Sequence, residues 1–210
     1  LFYYNISLKY KSLVVKKMIR SEKIKIEDLI EKNELIVPSY QRGYDWKKSE
    51  IEEFWEDLIT HYEMKRKAKD NLSSEGLNLF LGTIILHKYS DNVFEIVDGQ
   101  QRLTSIFLLL IAMRTKLDQW ISEDVEVKGS NLKGVRQKFS EYISYTDPFT
   151  GNFEKTKLKA SLRIANTIEY MSNDSWDGQF LSKYNDFNTK KEASIVKPLY
   201  TFLLNKLDDI

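Results

Sequence analysis

Phe94-Glu95-Ile96-Val97-Asp98-Gly99-Gln100-Gln101-Arg102-Leu103-Thr104 is the stretch on which the architecture turns. Its first four residues are β-branched and aromatic enough for a strand, and the run from Leu103 to Met113 is apolar enough for a core helix. A strand that passes through a Gly turn into a helix leaves the first-turn N–H groups unpaired, which is a ready anion site. Arg102 falls in that first turn. A cation there opposes the helix dipole at a cost of about 0.3–1 kcal/mol, so it makes most sense beside an anion such as a phosphate. A second reading is compatible with the first. Asp98 followed by Gln101 fits a capping box, with Asp98 as N-cap and Gln101 reaching back to it. Capping accounts for Asp98, Gly99 and Gln101 but not for Gln100 or Arg102.

Working outward, Phe80 to Tyr89 and Val93 to Val97 flank the polar turn Ser90-Asp91-Asn92 and predict an antiparallel hairpin that delivers the chain to Asp98. Upstream, Ile26, Leu29 and Ile30 fit a short helix over Lys25 to Asn33. Leu35-Ile36-Val37 then reads as a strand stopped by Pro38. Ser39-Tyr40-Gln41-Arg42-Gly43-Tyr44-Asp45-Trp46 reads as a loop. Ile51, Phe54, Trp55, Leu58, Ile59 and Tyr62 recur at helical spacing, with Asp45 or Ser49 as the expected cap. Met64 to Gly76 reads as an exposed connection, its Lys65, Arg66, Lys67 and Lys69 a solvated helix end rather than a nucleic-acid patch.

Past Trp120 a charged, Gly-containing connection marks a boundary. The reading is a core over 18–121 and a helical extension over 122–210, with Leu158, Leu162, Ala165 and Ile168 on one helix. Another helix, carrying Ile195, Leu199, Phe202, Leu203 and Leu207, begins near Lys190. That last helix reaches the chain end without Gly or Pro, as expected of a fragment of a longer protein. Residues 1–17 lack the h-region and cleavage site of a signal peptide, and Met18 is read as the native start.

The chain has 210 residues, no cysteine and a net charge of +1. The length suits one good-sized core, and the charge supplies no global drive toward nucleic acid or an anionic membrane. Without cysteine there are no disulfides, thiolate metal sites or cysteine nucleophiles, which is compatible with a reducing cytoplasm. The longest apolar run is too short for a bilayer.

Two loops carry Gln beside Arg, namely Gln41-Arg42 and Gln101-Arg102, and they are expected to converge. Arg102, first-turn N–H groups and Gln100 would hold phosphate oxygens, with Arg42 as a second guanidinium fork. Tyr40, Tyr44 and Trp46 either stack on a base or pin the loop to the core. A nucleoside triphosphate would require a divalent cation such as Mg2+ and a group that orients water. Asp98 is the nearest carboxylate for both tasks and Glu95 the next. No Walker sequence is present, and His61 and His87 lack metal-ligand spacing and are read as structural.

Val37 to Trp46, Phe80-Leu81-Gly82-Thr83-Ile84 and Ile96 to Thr104 together resemble the N-terminal domain of GmrSD-type restriction endonucleases, catalogued as domain of unknown function 262 and similar to the ParB and sulfiredoxin fold. The match is good over Ile24 to Trp120. The resemblance implies a mixed α/β (α+β) fold, a small mixed sheet with flanking helices and a C-terminal helical extension. It further implies a cytoplasmic bacterial defence protein whose nucleotide-binding and hydrolysing domain controls cleavage of foreign or modified DNA. Its nucleotide-site signature carries over to Asp98, Gly99, Gln100, Gln101 and Arg102, with Gln41 and Arg42 from the earlier loop. Catalytic duty is expected of Asp98 and Arg102, and Asp98 is the expected metal ligand. Full-length members add a His-Asn-His nuclease domain, which these residues do not encode. Sulfiredoxin activity is set aside because its attacking cysteine is absent. The alternative function is a DNA-binding adaptor without turnover, in which the same Arg residues meet backbone phosphates.

Overall fold

The expected hairpin forms the centre of the sheet. In the computed structural model, which describes residues 2–9, 19–69, 79–127, 130–176 and 187–209, the chain runs as β1 (Phe2–Lys9), β2 (Ile19–Lys25), α1 (Ile26–Lys32), β3 (Glu34–Ile36), α2 (Lys48–Lys69), β4 (Leu79–Ser90) and β5 (Val93–Asp98). It continues as α3 (Gln100–Ser122), α4 (Leu132–Ile143), β6 (Ser144–Thr146), β7 (Phe153–Thr156), β8 (Leu158–Lys159), α5 (Ala165–Ser172) and α6 (Phe187–Asp208). Met18, residues 10–17, and the turn read at Asn71, Ser73, Ser74 and Gly76 lie outside the described residues.

A mixed six-stranded sheet has the order β2-β1-β4-β5-β3-β8, and β6 and β7 form a separate hairpin. The β4–β5 turn works because Asn92 takes a positive φ of 60°, which a short amide side chain tolerates. β1, drawn from residues set apart in the sequence reading, pairs parallel to β4 and antiparallel to β2. β3 lies parallel to both β5 and β8.

Helix α3 packs through the middle, so it is apolar around most of its circumference. Leu103, Phe107, Leu108, Ile111 and Ala112 are inaccessible to solvent. They join Leu35, Ile84, Leu86 and Ile96 from the sheet and Ile143, Ile164, Ile168, Met171, Val196 and Leu203 from the later elements in one hydrophobic cluster. Residues on either side of position 121 therefore share a core. Cutting Phe107 to Ala there would cost about 3–5 kcal/mol. The polar members of α3 bond locally: Ser105 Oγ donates to the Gln101 carbonyl at 2.9 Å and Thr115 Oγ1 to that of Ile111 at 3.0 Å.

Three sequence expectations are corrected. Leu158 and Leu162 do not share a helix: Leu158 lies in β8 with no exposed surface, and Leu162 sits in a turn, 76% exposed. Helical spacing of apolar residues fitted both conformations, and pairing with β3 selected the strand. Helix α2 begins before Ser49 and continues through Lys67, so the expected connection is helical there. Its start is served by Glu50, whose Oε2 accepts the Lys47 N–H at 3.1 Å. Asp45 is engaged elsewhere.

Arg114 of α3 is 1% exposed and closes the C-terminal end of α5. Its Nη1 donates to the Ser172 carbonyl at 3.0 Å, its Nη2 to those of Met171 at 2.7 Å and Asn173 at 2.9 Å, and Asp174 stands at 3.2 Å. These are the carbonyls a helix end leaves unpaired, and a cation also answers the dipole. Burial pulls the guanidinium below its ordinary range, against the opposing pull of Asp174. Arg136 of α4 extends the network to Asp118 at 2.8 Å and Asp174 at 3.3 Å. Among the described residues no helix is long and apolar enough to cross a membrane.

Candidate functional site

Strand β5 ends at Asp98, and Gly99 turns the chain with φ 91° and ψ 9° before α3 begins at Gln100. Only glycine suits the position: the left-handed angle strains other residues, and a Cβ would lie 2.9 Å from Ile84 Cγ1. Gly99, not Asp98, is the N-cap, and no side chain caps the helix. The capping-box reading is therefore overturned. Asp98 Oδ1 instead accepts the neighbouring Gly99 N–H at 2.8 Å, and the Asp98 residue is exposed.

Gln101 turns the other way because the 38–46 loop offers it unpaired backbone groups. Its Oε1 accepts from the N–H of Asp45 at 3.0 Å and Trp46 at 3.3 Å, and its Nε2 donates to the Gly43 carbonyl at 3.1 Å. Gln100 Nε2 donates to the Arg42 carbonyl at 2.5 Å. From the loop, Gln41 Nε2 donates back to the Val97 carbonyl at 2.9 Å. The two Gln-Arg segments thus meet, and the amide side chains clasp them. The Arg42 carbonyl needs a donor, which fixes the Gln100 amide orientation and leaves Gln100 Oε1 buried without a hydrogen-bond partner. A buried orphan acceptor is rare enough to require a physical reason, such as a water or a ligand donor.

The aromatic residues divide. Tyr44 is 1% exposed, with its hydroxyl 2.8 Å from Ser105 Oγ, and burial raises its pKa well above the ordinary value. Trp46 packs on Phe54 with ring centroids 6.0 Å apart. Both pin the loop. Tyr40 stands 70% exposed at the turn closed by Gln41 N–H to the Pro38 carbonyl.

The cations divide as well. Arg42 is exposed, and no described side chain pairs with it. Arg102 is half-buried, its Nη1 donating to the Leu81 carbonyl at 2.6 Å and its Nη2 to the Thr83 carbonyl at 3.0 Å. These carbonyls flank Gly82, whose φ is +95° and where any Cβ would collide with the guanidinium. The carbonyl dipoles offset part of the cost of a cation at a helix N-terminus, and neither partner neutralises its charge. Glu95 is not among the converging groups; it faces His87 at 3.2 Å across the hairpin.

A wall of the site comes from residues to which the sequence reading gave no functional role. Backbone N–H groups of Leu35 and Val37 donate to the carbonyls of Lys157 at 2.8 Å and Lys159 at 2.9 Å. The Tyr44 N–H reaches Ser161 Oγ at 3.3 Å, and Arg163 Nη1 bonds Asp45 Oδ1 at 2.6 Å. The Arg163 side chain lies over Gly43, where a Cβ would strike it. Nothing in Lys159-Ala160-Ser161-Leu162-Arg163 read locally points to this placement.

Among the described residues no three His, Asp or Glu side chains gather as a metal cage. Mg2+ is ordinarily bound by one or two carboxylates together with a substrate's phosphates, and a single exposed carboxylate such as Asp98 is compatible with that mode.

Among curated proteins, none matches this chain. The family model of the GmrSD restriction endonuclease N-terminal domain matches residues 26–208, which takes in both clasped loops, α3 and the wall that carries Arg163. The chain therefore belongs to the GmrSD restriction endonuclease N-terminal domain family, and is a module of a restriction-type defence system.

Proposed function

We propose that this domain binds a nucleoside triphosphate at the clasped loops and hydrolyses it, as the cytoplasmic control module of a system that cuts foreign or modified DNA. The clasp itself carries the reading. Gln41, Gln100 and Gln101 spend their amides on backbone groups of the opposite segment, so the uncapped start of α3 and the Arg42 segment are held together. Such a frame suits an anion, because oriented N–H groups and a guanidinium stabilise charge without reorganising.

In this reading the first-turn N–H groups of Gln100, Gln101 and Arg102 take phosphate oxygens. Arg42 supplies a bidentate fork, which its exposure and lack of a described partner leave available. The N–H groups of Arg102 not spent on Leu81 and Thr83 add positive charge. Tyr40 offers a ring for a base, and the orphan Gln100 Oε1 offers an acceptor for a ligand O–H or N–H. Asp98 would repel phosphates on its own, so it would hold Mg2+, which when bound neutralises phosphate oxygens. The same carboxylate would orient an attacking water. DNA is the target of the assembly, reached through a His-Asn-His nuclease domain outside these residues.

The test is a thermal-shift titration with ATP, GTP, CTP and UTP, each with MgCl2, on the wild type and on Arg42→Ala. A nucleotide at about a hundred times its Kd should add about 2.7 kcal/mol of stability to the wild type. The variant should show the same unliganded midpoint and a much smaller shift. No shift with any of the four nucleotides would overturn the proposal.

A further inference from the structure

Arg163 reaches the clasped loops from the far side of the chain, and its charge partner there among the described residues is Asp45. The two sit 2.6 Å apart, with side chains 54% and 47% exposed. An ion pair that open to water is weakly held, so it is cheap to exchange. The members are not equally free to move. The N–H of Asp45 is bound by Gln101 Oε1, and the adjoining Tyr44 is buried and bonded to Ser105, so Asp45 is fixed to the frame. Arg163 lies in a turn just before α5 and borders a cleft of about 620 Å³ shared with Leu162, Asn166, Lys191, Glu192 and Ile195. It has room to swing. It also passes directly over Gly43, the residue whose carbonyl Gln101 clasps.

We propose that Arg163 is a further ligand-contacting residue, held by Asp45 in competition with the phosphate of the bound nucleotide and released to it on binding. The inference rests on the nucleotide reading above and adds a specific route to it. Ile164 N–H closes the turn on the Ser161 carbonyl and α5 follows at once, so the residue that changes partner sits on the turn leading into α5. The carboxylate of Asp45 serves to keep the cation docked until a ligand phosphate competes for it.

The experiment is isothermal titration calorimetry of each of the four nucleoside triphosphates with MgCl2 against the wild type, Arg42→Ala, Arg163→Ala and Asp45→Asn, with unliganded thermal midpoints measured alongside. Arg163→Ala should weaken binding by about tenfold or more, the worth of a charge-assisted hydrogen bond. Asp45→Asn should tighten it by up to about fivefold, since it removes an exposed competitor. Opposite signs are the signature. A purely structural pair would shift both variants in the same direction, together with their midpoints, and that result would overturn the inference. If the wild type binds and Arg42→Ala weakens it while both other variants bind as the wild type does, this inference alone falls. If the wild type binds none of the four, the nucleotide reading falls and takes this one with it.

Discussion

Arg102 and Arg114 stand on the same helix, and each guanidinium grips main-chain carbonyls, yet the two ends of that grip serve different purposes. Arg114 is 1% exposed, has the carboxylate of Asp174 at 3.2 Å, and seals the carbonyls at the end of α5. Arg102 is half-buried and holds the carbonyls of Leu81 and Thr83 with no described carboxylate beside it. The first cation is neutralised and removed from water. The second keeps its charge at the mouth of a helix N-terminus. A buried, paired arginine joins two parts of a core, whereas a half-open one fastened only to carbonyl dipoles can fix a strand and still attract an anion.

The sharpest way to break that contrast is to truncate both. Arg114→Ala should cost about 3–5 kcal/mol in urea unfolding, because Asp174 and the carbonyls of α5 are left without their donor. Arg102→Ala should cost about 1–2 kcal/mol, since water can reach the freed carbonyls. Equal losses would erase the distinction. Gly82→Ala should cost about 1–3 kcal/mol, as an L side chain is strained at φ +95° and would strike the guanidinium. Placed in the Arg102→Ala background, the same change should cost less, and a double-mutant cycle with no coupling would show that the two do not touch.

The smallest expected effect at neutral pH concerns the loop clasped by Gln100 and Gln101. Burial raises the Tyr44 phenol, so its neutral form stabilises the folded protein. That contribution is complete below the unfolded value near 10 and is lost as the pH climbs above it. Tyr44→Phe should therefore cost about 1 kcal/mol near neutrality through the lost bond to Ser105 and flatten the alkaline fall in urea midpoint. Tyr200, raised by burial for the same reason, should keep part of that fall. An unchanged alkaline profile would mean that the loop is not pinned by Tyr44.

Much of the frame was legible because it is local. The hairpin through Asp91 and Asn92, the Gly99 turn and the apolar α3 all follow from alternation, turn chemistry and periodicity within short windows. The meeting of the two Gln-Arg segments was legible too, as an expectation from their residue types. What failed was direction and partnership. Asp98 and Gln101 have capping-box spacing, but the 38–46 loop offered Gln101 three backbone partners where Asp98 offered one, so the glutamine turned to the loop. Leu158 and Leu162 have helical spacing, and the open side of β3 made a strand of Leu158. Arg163 and Arg114 carry no local signal at all, because their partners lie across the fold at Asp45 and at the end of α5.

By itself, then, the sequence determined the family, the mixed α/β class and the loops that meet, since these depend on residue type and on spacing within a few turns or strands. Only the tertiary structure decided which cations are spent and which are free. A guanidinium's charge is the same everywhere along the chain, but its availability depends on burial and on the carbonyls and carboxylates that folding brings within about 3 Å. Those neighbours come from distant segments that no local pattern announces.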